Sequence, residues 1–224
     1  CDRRQRQMCI RDRSKDNKND IMVLNQDILN TILQDPLLRV SRVLEGIFCE
    51  KVIITEAEAD ELVYQELTEK LISESGVFFA HGQNKQTLVP IAELYQKIGV
   101  GYEVVTDFDV LRVSSEFYKF LAIMPIEEKE KQRIKSYAEK LRENIEASVN
   151  VNGMSKDEAE KVRKEVRDEI YHKKGIRFFE DALKNKIQET LNCLSKYHLH
   201  ILETGELETL LEEYGVTYKE KKLW

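Results

Sequence analysis

Two short apolar runs in this chain end abruptly in carboxylates. One is Lys51-Val-Ile-Ile-Thr-Glu-Ala-Glu-Ala-Asp60, the other Tyr102-Glu-Val-Val-Thr-Asp-Phe-Asp-Val110. A β-branched run of this kind reads as a buried parallel strand, and such strands place function at their carboxyl ends. Glu56 stands where the first run stops. Asp60 lies one helical turn further on, so both can face one crevice. Asp107 and Asp109 are two positions apart, so an extended backbone would turn both side chains to one face. Carboxylates gathered in this way repel unless they share protons or a cation. An all-oxygen set suits a hard divalent ion, magnesium or manganese. Two such ions roughly 3.5–4 Å apart can activate a water and stabilise the leaving oxygen of a phosphodiester. That chemistry needs several carboxylates, and Glu206 or Glu208, after a later apolar run, would complete the set. Lys85, in a polar turn, would help neutralise the transition state.

These residues need a scaffold, and the hydrophobic pattern supplies one. Residues 51–55 read as a first strand, and residues 58–73 as a helix with Leu62, Val63, Leu67 and Leu71 on one stripe. Residues 76–80 read as a second strand, followed by the turn His81-Gly-Gln-Asn-Lys85. Residues 86–98 read as a helix and 102–106 as a third strand. Strand alternating with helix in this rhythm implies right-handed parallel crossovers, an α/β fold. A short helix is expected near residues 114–121. Residues 127–148 and 155–171 then read as charged helices split by residues 149–153, and 178–194 as one more helix. Together they form a long charged helical insertion spanning about residues 127–190, whose interleaved acids and bases suit a solvated packing arm. Residues 198–202 read as a fourth strand and the run to Glu213 as a last helix.

The totals bound the answer. A chain of 224 residues holds one good-sized domain or one domain with an appendage. Three prolines and nine glycines leave little room for a many-turned β sandwich. A net charge of −6 excludes a blanket nucleic-acid coat but not a local basic groove. The cysteines at 1, 9, 49 and 193 form no CxxC pair, which suits a reducing cytoplasm and gives no zinc signature. No apolar run is long enough to span a membrane. No GxxxxGK[ST], GxSxG or HExxH occurs. Residues 1–20 are strongly charged and are expected to be disordered. The string at residues 7–13 resembles translated sequencing-adapter read-through, so this end is expected to be non-native. The chain does not begin with Met, and residues 21–48 read as a helical linker of two short helices, broken at Asp35-Pro36, from a missing upstream domain.

Each candidate has a plainer reading. A single acid at a helix start, such as Asp60, is usually a cap or a dipole partner. A DxD after a strand is common by chance. His198 and His200 share a strand face without a third nitrogen or sulfur ligand, His81 reads as a satisfied loop histidine, and Cys49 reads as a small buried hydrophobe. What favours the metal reading is that three strands end in acids, and in a parallel sheet those ends share an edge.

Four stretches together resemble a Toprim domain, the metal-binding module of topoisomerases, primases and certain nucleases. They are Val52-Ile-Ile-Thr-Glu-Ala-Glu-Ala-Asp60, the Lys85 turn, Val104-Val-Thr-Asp-Phe-Asp-Val-Leu111 and Ile201-Leu-Glu-Thr-Gly-Glu-Leu-Glu208. They are most similar to the OLD (overcoming lysogenisation defect) nucleases, which include the Gabija-type antiphage nuclease, and the long insert resembles that family too. The resemblance implies a Toprim-like (Rossmann-like) parallel sheet of about four strands flanked by helices, over residues 49–224. It implies a DNA endonuclease dependent on Mg²⁺ or Mn²⁺, with two ions, acting in anti-phage defence or DNA processing. Glu56 and Lys85 would be catalytic, and Glu56, Asp60, Asp107, Asp109, Glu206 and Glu208 would hold metal. It implies a cytoplasmic homo-oligomer whose full-length relatives carry an N-terminal ABC-type ATPase. The alternatives are a non-catalytic nucleic-acid-binding or assembly module, or a topoisomerase- or primase-type module. The topoisomerase pattern often has a third aspartate where this chain has Leu111. The family glycine after the glutamate is Ala57 here, which fits only if that residue keeps an ordinary φ.

Overall fold

The computed structural model of the chain describes residues 10–15, 18–23, 30, 34, 42–71, 76–212 and 215. Its main sheet has four strands in the order β4-β3-β5-β6. They are β3 (Lys51–Thr55), β4 (Val77–His81), β5 (Gly101–Thr106) and β6 (Leu199–Ile201). β3 pairs in parallel with both β4 and β5. The four-stranded α/β fold read from the sequence is therefore present, each strand boundary lying within a residue of its expected place. The chain divides into two compact units, residues 1–104 and 105–224, and the boundary falls inside β5.

In the first unit β3 is followed by helix α2 (Glu58–Leu71) and β4 by α3 (Lys85–Lys97). Val52 and Ile54 of β3 are fully buried, as are Leu88, Ile91 and Tyr95 of α3, so α3 carries the helical face of this core. The Tyr95 hydroxyl donates to the carbonyl of Val43 at 2.8 Å, which ties down the short helix α1 (Val43–Gly46). Burial pushes that phenol's pKa well above its ordinary value. α2 departs from expectation. Its apolar stripe was expected to face the core, but Leu62, Leu67 and Leu71 are 59%, 42% and 80% exposed. The one buried side chain on this helix is Glu61, so α2 is held by its polar first turn more than by its leucines.

In the second unit a 3-10 turn (Phe108–Leu111) follows the end of β5. Helices α4 (Ser114–Ile123), α5 (Glu128–Ala147), α6 (Lys156–Glu169) and α7 (Asp181–Ser195) follow. Ile134, Ala138, Leu141 and Ile145 form the buried stripe of α5, and its other faces carry charge. A capping box starts α6, with Ser155 and Glu158 satisfying each other's backbone N–H. The expected end of that helix near residue 171 becomes a π-helical turn (Ile170–Lys174) and a second 3-10 turn (Gly175–Phe178). α8 (Leu207–Leu211) is the last described helix. His198 has a left-handed φ of 71° at the end of α7, so it turns the chain and does not share a strand face with His200.

Near the start, β1 (Ile10–Lys15) and β2 (Lys18–Val23) pair antiparallel. Pairing between runs this close in sequence costs little loop-closure entropy. Apart from α1 and residues 21–23, which belong to β2, the helical linker expected over residues 21–48 lies largely outside the described residues, as does Glu213.

Candidate metal centre

Parallel register brings the two acidic strand ends together. Ile54 lies opposite Val104 across the β3–β5 ladder. Glu56 follows Ile54 by two residues and Asp107 follows Val104 by three, so both emerge at the same carboxyl edge of the paired strands. Glu56, Asp107 and Asp109 each offer a carboxylate oxygen, and these oxygens all lie within 4.8 Å of one another. All three residues are half-buried. The aspartates meet by a different route from the expected strand alternation. β5 ends at Thr106, and Asp107 leads into the 3-10 turn that carries Asp109. Phe108, Val110 and Leu111 are buried, which leaves the aspartates on the outer side of the turn.

The turn after β4 places the cation. The Gly82 N–H donates to the Thr55 carbonyl at 2.9 Å, fastening the turn to the end of β3. A Cβ on Gly82 would come within 2.8 Å of both Leu88 and Thr87 side chains, so any larger residue there would push those side chains aside. Asn84 caps α3, its side chain accepting from the N–H groups of Gln86 and Thr87. Lys85 then opens the helix, and its Nζ lies 3.5 Å from Glu56 Oε2. An all-oxygen cluster of carboxylates fits a hard divalent ion, which would lower their mutual repulsion.

Asp60 accepts a hydrogen bond from the Ala57 N–H at 3.2 Å, and the Ala57 carbonyl accepts from Glu61 N–H at 3.1 Å. Ala57 is thus the N-cap of α2, and Asp60 satisfies its backbone in the first turn. Ala57 is not among the residues with positive φ, so the backbone here accommodates alanine without left-handed strain.

The Gly205 segment is locked to the π turn by backbone contacts. Gly205 has a φ of 106°, and a Cβ there would sit within 2.8 Å of Lys173 N and 2.5 Å of His172 C. Gly175 has a φ of 52°, and a Cβ there would overlap the Glu203 carbonyl. The Gly205 carbonyl accepts from Phe108 N–H at 2.9 Å, and Glu206 N–H donates to the His172 carbonyl at 3.1 Å. Glu206 is buried, and its Oε1 stands 2.6 Å from His172 Nδ1. That contact is an ion pair only when the ring is protonated. The carboxylate against the ring raises the His172 pKa above its ordinary value; burial opposes this, and the charges of Glu206, Asp109 and Asp168 add to it.

Of the residues singled out by sequence, Glu56, Asp107 and Asp109 form the mutual cluster, with Lys85 beside Glu56. Asp60, Glu206 and half-buried Glu208 lie outside that group of three. Sequence reasoning passed over His172 and Glu61. The basic run His172-Lys-Lys174 before Gly175 is the one signal that could have marked the π turn. A lone glutamate on a charged helix gives no sign that it is buried.

Residues 47–109 match the family model described as Overcoming lysogenization defect protein-like, TOPRIM domain. The match runs from just before β3 through Asp109 and so takes in Glu56, Lys85 and both aspartates. No match to the chain is found among curated proteins.

Proposed function

We propose that the OLD-like Toprim domain spanning residues 47–109, together with the helical segment that follows, is a divalent-metal-dependent DNA endonuclease. The observation that carries this reading is the cluster of Glu56, Asp107 and Asp109 oxygens within 4.8 Å at the carboxyl edge of paired strands. Glu56, Asp107 and Asp109 would hold Mg²⁺ or Mn²⁺. When bound, such an ion makes a neighbouring water a nucleophile at neutral pH and polarises a phosphoryl oxygen. Lys85 sets a fixed ammonium next to Glu56, where it can receive the charge that develops on a phosphate oxygen. Glu56 would also take a proton from the attacking water. A second ion would draw on Asp109 with Glu206 and Glu208. His172 competes with that role for Glu206, while Asp60 serves first as the α2 cap. An upstream ABC-type ATPase, homo-oligomerisation and a role in anti-phage defence or DNA processing complete the proposal.

The test is supercoiled plasmid incubated with the purified chain in Mg²⁺ or Mn²⁺. Nicking that Asp107→Ala abolishes supports the reading. Intact plasmid across metals and salts, with retained DNA binding, identifies a non-catalytic nucleic-acid module.

A further inference from the structure

Glu61 is a carboxylate with 5% of its surface exposed, on a helix whose leucines face solvent. A charge in that position is costly unless it is paired, and a buried pair seldom adds stability over an apolar replacement. Its partners therefore point to a purpose. Glu61 Oε2 lies 2.5 Å from His81 Nδ1, and its other oxygen lies 3.7 Å from an Arg42 guanidinium nitrogen. Arg42 takes a left-handed φ of 55° and stacks its guanidinium 5.2 Å from the centre of the Phe78 ring. His81 is the last residue of β4, in register with Thr55, the residue before Glu56. It opens the turn that ends at Lys85.

The turn from His81 to Lys85 is fixed at each step. Its first residue is held by Glu61, its second bonds Thr55, and its third, Gln83, has a φ of 65°. Its fourth caps α3, and its fifth is the lysine beside Glu56. A carboxylate bonded to one imidazole nitrogen fixes the orientation of the ring, as the outer partners of metal-bound or catalytic histidines do. Here the fixed ring begins the loop that delivers the cation.

We propose that Glu61 and His81 are positioning residues for Lys85: the buried pair sets where the Lys85 ammonium stands against Glu56. This rests on the nuclease reading for its kinetic consequence but not for its geometric one. Two measurements on the full chain separate them. The first is labelling of Lys85 by an amine-reactive ester, followed by peptide mass spectrometry. Glu61→Gln and His81→Leu, with unchanged circular dichroism, raise the labelling rate several-fold. His81→Asn keeps a donor near Nδ1 and restores most of the protection. The second is plasmid nicking. Glu61→Gln lowers kcat by about 10–100-fold, with KM and Mn²⁺ affinity within about twofold, and costs nothing further in a Lys85→Ala background. Unchanged labelling in both variants overturns the proposal, as does an equal kcat loss with and without Lys85. A chain that never nicks DNA while its labelling responds as expected removes the nuclease reading and leaves the positioning pair standing.

Discussion

Replacing Gly205 with alanine tests the backbone lock that joins the π turn to the acidic edge. Gly205 has a φ of 106°, which strains an L side chain by about 1–3 kcal/mol. The added Cβ would lie 2.5 Å from His172 C and 2.8 Å from Lys173 N, closer than the 3.0 Å that real Cβ atoms keep. Both neighbours are backbone, so relief requires the π turn to move, at an overpacking cost of about 1–3 kcal/mol. Taking ~3 kcal/mol in total, the melting temperature should fall by about 6–12 °C. Gly153 supplies the control, because its φ is 78° and no atom lies within 4 Å of a Cβ there. Gly153→Ala should cost ~1 kcal/mol from conformation alone and about 2–4 °C. Thermal unfolding followed by circular dichroism reads both. Equal melting of the two variants would refute the close approach of Gly205 to the π turn.

Three further outcomes follow from the site and its surroundings. Asp107→Asn removes one of three crowded charges, so in EDTA it should raise stability by on the order of 1 kcal/mol, while added Mn²⁺ should no longer raise the melting temperature; a lower melting point in EDTA would show that repulsion is absent. Ala57→Gly gains the N-cap preference of glycine but adds freedom to the unfolded chain, so stability should stay within about 0.5 kcal/mol and Mn²⁺ affinity within about twofold; a tenfold gain in affinity would mean that alanine narrows the pocket. Burial pushes the Tyr171 phenol from 10.0 up to about 12, so its contribution is whole below pH 10 and is lost as pH rises to about 12. Over that window the wild type should lose up to about 3 kcal/mol relative to Tyr171→Phe, read by denaturant titration at each pH, and parallel curves would sink the assignment.

The strands were legible because buried parallel strands are written as continuous β-branched runs, and residues 52–55 and 102–106 have no other use for them. The acidic ends were legible for the same reason: a carboxylate straight after such a run has only the sheet edge to occupy. The route by which Asp107 and Asp109 meet was not legible. A DxD on an extended strand and a DxD entering a 3-10 turn have the same letters, and the choice is made by burial of Phe108, Val110 and Leu111. The π turn was hidden because residues 155–171 and the basic run after them continue a helical pattern, and the close approach of Gly175 and Gly205 to opposing backbone, which leaves no room for a Cβ, appears only in the folded chain. α2 misled in the other direction. Its leucines have helical spacing, but periodicity states only that a face exists and not that a neighbour covers it.

The acidic edge therefore separates position from charge. Thr55 holds the Lys85 turn through a backbone hydrogen bond from Gly82, and the Gly205 carbonyl holds the DxD turn through Phe108 N–H. Neither bond involves a carboxylate of the cluster. A site built this way can carry like charges within 4.8 Å without depending on them for its shape, because the backbone bonds remain when a carboxylate becomes an amide. The carboxylates set what the site holds, and the glycines and caps set where it holds it. Loss of metal binding in Asp107→Asn and loss of stability in Gly205→Ala are accordingly different failures, and a metal-free melt distinguishes them by sign.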